Sequence, residues 1–512
     1  MYMRKRYACF LIVFLLGLGG NGALSVFKGI PAPVAHDEFS YLLAADTFTH
    51  GRITNPPHLL WPFFETFYVL QQPTYMSKYP PAQGLFLAVG QRLGHPIYGV
   101  WLSAALMSVA IAWMLHAWLP PRWALIGALA ATMQFGIFSY WSQSYWGGCV
   151  AALGGALVFG ALPRLLKTQR WQDLLWLAVG IALLANSRPL EGFLVALPMG
   201  LLVLSWKSRK VMSVTIFLGL ILVIIVAGMA IYNKQITGEA KIPPYLLYAQ
   251  TYRNVPLFIW QPYDSTVKLD HPEMIAFEKN NTEKMYRDKR TPEGFVKAMQ
   301  KDLAEVAGFF LGFPLALPAW VLLAAYFFNR RTAWRFWVSF FIFLIALAVT
   351  TTSAKAHYFA PLTCLAALVI ARGLRALSLL KMQGRRLGMP VVIFLLALQL
   401  SLDVAMAPTQ DVNWSASRAV ESPIRLPPTF NREQLSHILT QQGGKYLVLV
   451  SYRLPGTYFY EWVNNAADID HAPIVWAHDM GARENQKILA YFKGRRVIYI
   501  NVYWDKLGAE ES

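Results

Sequence analysis

The sequence predicts an α-helical polytopic membrane protein of about eleven transmembrane helices, followed by a small C-terminal α/β domain. Three observations predict it. Only 14% of the 512 residues are charged and 56% are hydrophobic, where soluble domains carry about 25% charged residues. The apolar residues fall in long runs, among them 7–27, 211–232, 303–328, 335–351 and 388–402, which suit a hydrocarbon core about 30 Å thick. The basic residues are also distributed unequally between alternate connections.

The apolar runs must be helices, because only an internally hydrogen-bonded segment satisfies its backbone in lipid. Spans are expected near 7–27, 97–118, 123–141, 146–164, 173–186, 189–205, 211–232, 305–327, 335–352, 357–376 and 388–406. With the N-terminus inside, the cytoplasmic segments collect eighteen Lys and Arg residues against one acid, Asp173, so +17 of the formal +18 lies on one side. That is the positive-inside rule. It explains the charge without a nucleic-acid partner. It also places the N-terminus in the cytoplasm and, with an odd span count, the C-terminus outside. A basic n-region before the first run would also suit a cleaved signal peptide. The run is about twenty residues long with no small-residue cleavage site close behind, which favours a retained anchor. Cys9, Cys149 and Cys364 all fall in expected spans, which argues against a disulfide scaffold or a cysteine zinc site.

The transmembrane domain is read as 1–406, with two long external loops at 28–96 and 233–304. The first loop holds an amphipathic stretch from Phe39 to Phe48, a Pro-rich tract, and a short helix expected at 83–94. The second is charged and punctuated by prolines; loops of that length are usually functional. Shorter external turns are expected at 142–147, 187–191 and 353–357. The tail, 407–512, reads as an external domain with strands at 445–451, 473–477 and 496–503 and a helix over 482–492. Strand and helix alternate there, as in a small α/β layer.

Four polar clusters lie on the external side. His36-Asp37-Glu38 opens the first amphipathic helix. Two adjacent carboxylates suit a general base with a partner or metal ligand, although Asp37 is equally placed to cap the helix. Lys78 precedes Tyr79-Pro80-Pro81, whose prolines stiffen the chain. It suits a phosphate or, alternatively, a side chain reaching to the membrane surface. Arg188 and Glu191 flank a tight turn and could simply close it as an ion pair. Lys355, His357 and Tyr358 join a cation, an imidazole and a phenol, although Lys and Tyr also anchor spans at interfaces. Tyr145 lies in a polar, aromatic turn that contains no acid. Cations, carboxylates and aromatics at one boundary suit a phosphate-bearing lipid substrate.

The run HDEFSYLLAADTF…GRITNP…SKYPPAQGLFLAVG resembles the glycosyltransferase C superfamily, in particular the protein O-mannosyltransferases and lipid A aminoarabinose transferases. The resemblance covers roughly residues 1–200 and, more loosely, the helix beginning at His357-Tyr358. It implies a membrane glycosyltransferase of the bacterial inner membrane that moves a sugar from a polyprenyl-phosphate donor to an acceptor hydroxyl or amine. The acceptor is a lipid, glycan or protein on the periplasmic face, and the anomeric centre inverts. Asp37 then matches the general base, Glu38 its partner, and Lys78 the basic residue beside the donor phosphate, with Arg188, Lys355, His357 and Tyr358 as further donor contacts. A divalent metal, Mg or Mn, held by Asp37 and Glu38, is the implied cofactor. One departure is the acid that many members carry in the turn after the third span. The segment Ser142–Gly148 has none, which leaves Glu65 or Glu191 as substitutes. Tyr79 and Tyr145 complete the expected substrate contacts.

A lipid or glycolipid transporter shares the many spans, but transporters place ionisable groups near the midplane, often in repeats. Here the polar clusters sit at one end of nearly charge-free spans. A receptor or assembly protein acting through its tail would use the Asp-Glu pair only as a helix cap. An oligosaccharide ligase on the same scaffold would differ in its donor.

Overall fold

The structure is a computed structural model that describes residues 2–168, 170–204, 211–312, 314–320, 322, 348–351, 355–383, 385–406, 432–452 and 462–502. Among these, six helices are long and apolar enough to cross a membrane: Tyr7–Lys28, Pro96–Trp118, Cys149–Thr168, Val211–Thr237, Ala360–Ser378 and Gly388–Ala405. Two shorter apolar helices, Trp171–Ala185 and Pro189–Pro198, lie between them. The protein is therefore a polytopic, mainly helical membrane protein with some sheet. Most of the expected span at 335–352, the part of 305–327 beyond residue 322, and the basic residues Lys207, Arg209, Lys210, Arg330, Arg331 and Arg335 lie outside the described residues.

Two expected spans take a different form. The helix from Pro121 ends at Ala131 and widens into a π-turn over Thr132–Ile137. The Asn21 amide donates to the Gly136 carbonyl at 2.7 Å, and Gln143 donates to Asn21 at 2.8 Å. Side-chain amides thus take up backbone groups that a wide turn displaces. The helix Pro292–Phe310 stops before Gly312 and Pro314, because proline supplies no N–H to continue it. Its N-terminal half is charged, so it extends the second loop rather than starting a span there.

The chain divides into two compact units. The first draws on Met1–Pro31, Ile97–Ala227 and Val296–Ser422. Its helices Cys149–Thr168 and Trp171–Ala185 pack through small residues. A Cβ on Gly180 would lie 2.8 Å from the Gly154 carbonyl, and one on Gly155 would lie 1.9 Å from the Pro361 carbonyl. Without a hydrophobic force between helices in lipid, this close backbone approach is how they gain contact.

The second unit draws on Ala32–Pro96, Gly228–Phe295 and Pro423–Ser512. It begins with the helix His36–Thr49, packed against Pro81–Arg92, and an antiparallel hairpin pairing Val69–Leu70 with Met76–Ser77. The segment from the second loop folds largely as helices, Pro244–Tyr252, Pro272–Phe277 and Lys284–Lys289. The tail forms a parallel sheet, with Tyr446–Tyr452 central between Ile474–His478 and Arg496–Val502. A helix, Arg432–Gln442, precedes it and was not anticipated from the sequence.

The strands Tyr446–Tyr452 and Ile474–His478 are covered on both faces, while Arg496–Val502 leaves Val497 and Tyr499 exposed. Val448, Val450 and Trp476 pack under Leu435 and Leu439 of the preceding helix. Leu447, Leu449, Val475 and Ala477 share a core with Ile488, Phe492, Leu43, Phe63 and Phe64. The last three come from the first long loop. Further ties are polar: the Ala467 amide donates to Asp46 at 2.7 Å, and the Tyr75 hydroxyl to the Asn465 carbonyl at 3.0 Å.

Candidate functional site

In the second unit, the two acids of the His36-Asp37-Glu38 motif separate by role. Glu38 is buried, and its Oε2 accepts the backbone N–H groups of Val34 and Ala35, both at 2.8 Å. It satisfies amides at the helix entrance that have no intrahelical partner. The capping role open to Asp37 therefore falls to its neighbour. Successive helical residues point about 100° apart, from 3.6 residues per turn, and Asp37 faces the Tyr79 hydroxyl, which donates to its Oδ1. Glu38 committed to two amides and Asp37 to a phenol do not form a shared cation site, so this pair does not fit the metal implied at these positions.

Tyr79 is held on three sides. Its ring stacks on Tyr41 with centroids 4.4 Å apart, and its carbonyl accepts the Tyr232 hydroxyl at 3.3 Å. Burial, reinforced by the Asp37 charge, raises its pKa well above that of an ordinary phenol. Tyr79 therefore stays protonated and remains a donor. Pro80 is extended and Pro81 starts the next helix, where its missing N–H costs nothing.

Lys78 sits at the end of the hairpin, 5% exposed. Tyr68, in the other strand's approach, adopts a left-handed conformation with φ 64°, which is uncommon and costly for an aromatic residue. Its carbonyl accepts both the Ser40 hydroxyl at 2.7 Å and the Lys78 amide at 3.1 Å. That geometry sets the Tyr68 ring under the ammonium: Lys78 Nζ lies 3.5 Å from its centroid, 4.8 Å from Tyr248, 5.0 Å from Tyr79 and 5.3 Å from Tyr245. Four aromatic faces surround Nζ within the range of cation–π contact. His36 stacks on Phe67 at 4.0 Å, and burial with the Lys78 charge lowers its pKa to about 3, so the imidazole is neutral.

The first unit holds the remaining expected residues except Glu65. Arg188 lies 3.8 Å from Glu191 and 4.8 Å from the Tyr358 ring centroid. His357 packs beside Tyr358 and shares a 2.9 Å hydrogen bond with the Tyr140 hydroxyl. Lys355 pairs with Glu305 at 2.8 Å. Tyr145 is buried and donates to the Pro31 carbonyl at 3.0 Å. Arg188, Glu191, Lys355, His357 and Tyr358 form a cluster of their own.

Glu65 belongs to a different cluster within the second unit, 3.2 Å from the imidazole of His271. His271 stacks on His478 with centroids 3.9 Å apart, and His478 Nδ1 lies 3.3 Å from a Glu273 oxygen. The potential ligand atoms of His271, Glu273 and His478 lie within 4.8 Å of one another, all on buried residues. Burial, followed by the His271 charge, lowers the His478 pKa, and burial raises that of Glu273. Burial pulls His271 down, but its hydrogen bond to Glu65 and the nearby carboxylate charges outweigh this and raise its pKa.

The chain is similar in structure to an archaeal oligosaccharyltransferase. With the Archaeoglobus fulgidus oligosaccharyltransferase tethered with an acceptor peptide containing the NVT sequon, the TM-score is 0.48 at 13% identity, covering 87% of this chain and 61% of that one. With the same organism's enzyme in complex with an inhibitory peptide and a dolichol-phosphate, the TM-score is 0.43 at 13% identity, over 87% and 62%. The chain thus spans about 61% of the length of the first of these structures. No protein-family model matches the chain, and no curated protein matches it.

The sequence reading missed Tyr68, Tyr245 and Tyr248 around Lys78. A signal was present: after Pro243-Pro244, Tyr245, Tyr248 and Tyr252 recur at spacings of three and four, which stack on one helix face. The His271, Glu273 and His478 cluster left only a His-x-Glu spacing and a lone histidine two hundred residues away.

Proposed function

We propose that the protein is a membrane glycosyltransferase that moves a sugar from a polyprenyl-phosphate donor to an acceptor hydroxyl or amine, with inversion. The observation that carries this reading is the Asp37–Tyr79–Lys78 constellation: a carboxylate oriented by a protonated phenol, beside a lysine whose Nζ lies over four tyrosine rings. One oxygen of Asp37 is engaged by Tyr79, and among the described residues the other has no hydrogen-bond partner. That is how a general base is oriented without being consumed.

In the proposed reaction Asp37 takes the acceptor proton. The acceptor oxygen or nitrogen forms a bond to the anomeric carbon from the face opposite the phosphate, through an oxocarbenium-like state. The bond from that carbon to the phosphate oxygen breaks, and the electron pair leaves with polyprenyl phosphate. Lys78 stabilises the charge growing on that oxygen. Arg188, Lys355, His357 and Tyr358 are proposed as further donor contacts. The topology proposed with this function has eleven spans in the bacterial inner membrane, a cytoplasmic N-terminus and a periplasmic tail.

The test is Asp37→Asn, assayed in membranes containing a polyprenyl-phosphate sugar and acceptor, with release of polyprenyl phosphate as readout. Loss of transfer with retained donor binding supports the base assignment, and near-normal turnover would sink it.

A further inference from the structure

The geometry points to a divalent transition-metal site of a kind that zinc occupies, formed by Nδ1 of His271, Nδ1 of His478 and the carboxylate of Glu273. It is separate from Asp37, Lys78 and the proposed chemistry.

Hydrogen bonding fixes the two imidazole tautomers. His271 Nε2 lies 2.9 Å from the Pro62 carbonyl, and His478 Nε2 lies 2.7 Å from the Glu65 carbonyl. A carbonyl oxygen only accepts. Each Nε2 must therefore carry its proton and donate it, which leaves Nδ1 as the nitrogen that can bind a metal when the ring is neutral. An imidazole whose far N–H is held by a carbonyl or carboxylate is the usual arrangement of a metal-bound histidine. Glu65 adds to it, since its Oε2 lies 3.2 Å from His271 Nε2.

The second observation is an uncompensated approach. The bare Nδ1 of His478 faces Glu273 Oε1 across 3.3 Å, and that buried oxygen has no hydrogen-bond partner among the described residues. Two lone pairs at that distance repel unless a proton or a metal ion lies between them, and a divalent ion satisfies both atoms at once. All three residues are buried, so water screens this poorly. The donor set of two imidazole nitrogens and one carboxylate oxygen is one that zinc accepts, with a fourth position open. Magnesium and calcium prefer all-oxygen sets. No thiolate takes part, because the three cysteines are buried in the first unit.

The ligands come from distant parts of the chain. His271 and Glu273 sit at the start of the Pro272–Phe277 helix, and His478 ends the strand Ile474–His478. Their second contacts, Pro62 and Glu65, come from the first long loop. A bound ion would therefore staple three separate segments of the second unit at one point, and its primary effect is on stability.

The experiment uses the full chain, purified in detergent with any affinity tag removed, stripped with a chelator and titrated with zinc chloride. The expected result is one zinc per chain by elemental analysis, a rise in thermal midpoint on zinc addition, and an X-ray absorption first shell of nitrogen and oxygen at about 2.0–2.2 Å. Glu273→Gln is nearly isosteric and His478→Ala removes a ligand. Glu273→Gln should retain the metal-free thermal midpoint of the parent, whereas His478→Ala lowers it by lost packing; both should bind zinc at least tenfold more weakly and show no zinc-dependent shift. Magnesium chloride should give no shift in any form. The proposal is overturned by stoichiometric zinc in both variants, by no zinc uptake in the parent, or by an equal shift with magnesium.

Discussion

The Tyr79 hydroxyl donates to the Asp37 carboxylate, across forty-two positions of sequence. The contact joins the acid at the start of one helix to the tyrosine that leads into the next. It places the Pro-Pro tract in a functional light: by stiffening the chain after Tyr79, the prolines help hold the phenol against the acid.

Tyr79→Phe removes that donor and keeps the stacking on Tyr41. Turnover should fall roughly tenfold, less than in Asp37→Asn, where loss of a general base costs about 100-fold or more. The KM for donor should change little. Steady-state kinetics on both variants checks the order, and a Tyr79→Phe enzyme slower than Asp37→Asn would contradict it.

Lys78→Met retains the bulk inside the tyrosine cage and removes the charge. Donor KM should rise and turnover should fall together, since a phosphate contact acts in binding and on the leaving group. Tyr68→Leu should raise donor KM with a smaller effect on turnover, through loss of about 0.5–2 kcal/mol of cation–π stabilisation. Donor titrations in membranes distinguish the two.

Burial of neutral His36 makes stability pH-dependent. Its folded-state pKa of about 3 lies below the ordinary value of 6.5. The unfolded chain therefore binds a proton first as the medium acidifies. The contribution is complete above about pH 6.5 and is lost as pH falls toward 3, at about 1.4 kcal/mol per pH unit. His36→Phe, which keeps the stack on Phe67, should flatten the decline of thermal midpoint between pH 6.5 and pH 4. Parallel curves for the two proteins would rule this out.

Gly84 lets the Pro81–Arg92 helix approach His36–Thr49. A Cβ there would lie 2.8 Å from that of Ala44. Gly84→Ala should cost about 1–3 kcal/mol through overpacking. Ala44→Gly in the same chain should recover part of it, measured as a coupling in a double-mutant cycle. Strict additivity would show that the two helices do not meet there.

The proposed orientation is checked by reporter fusions. One placed after Arg386 should be cytoplasmic and one after Pro408 periplasmic. The opposite pattern would reverse the sidedness of the Asp37 and Lys78 chemistry.

Much of the architecture was legible in the sequence because it rests on local periodicity. Apolar runs dictate helices wherever the backbone must satisfy itself in lipid, and six of them appear at the expected places. The tail strands Tyr446–Tyr452, Ile474–His478 and Arg496–Val502 also follow from short β-rich runs between turns. Asp37 and Lys78 were visible as motif residues. The tertiary structure decided what those residues face. It assigned the cap to Glu38, set Asp37 against Tyr79, and surrounded Lys78 with tyrosines from three separate segments. It also joined the first long loop, the second loop and the tail into one unit, because one face of the tail sheet needs Phe63 and Phe64 to cover it. Helix and strand periods record which face of an element is apolar, but not which distant segment will bury it.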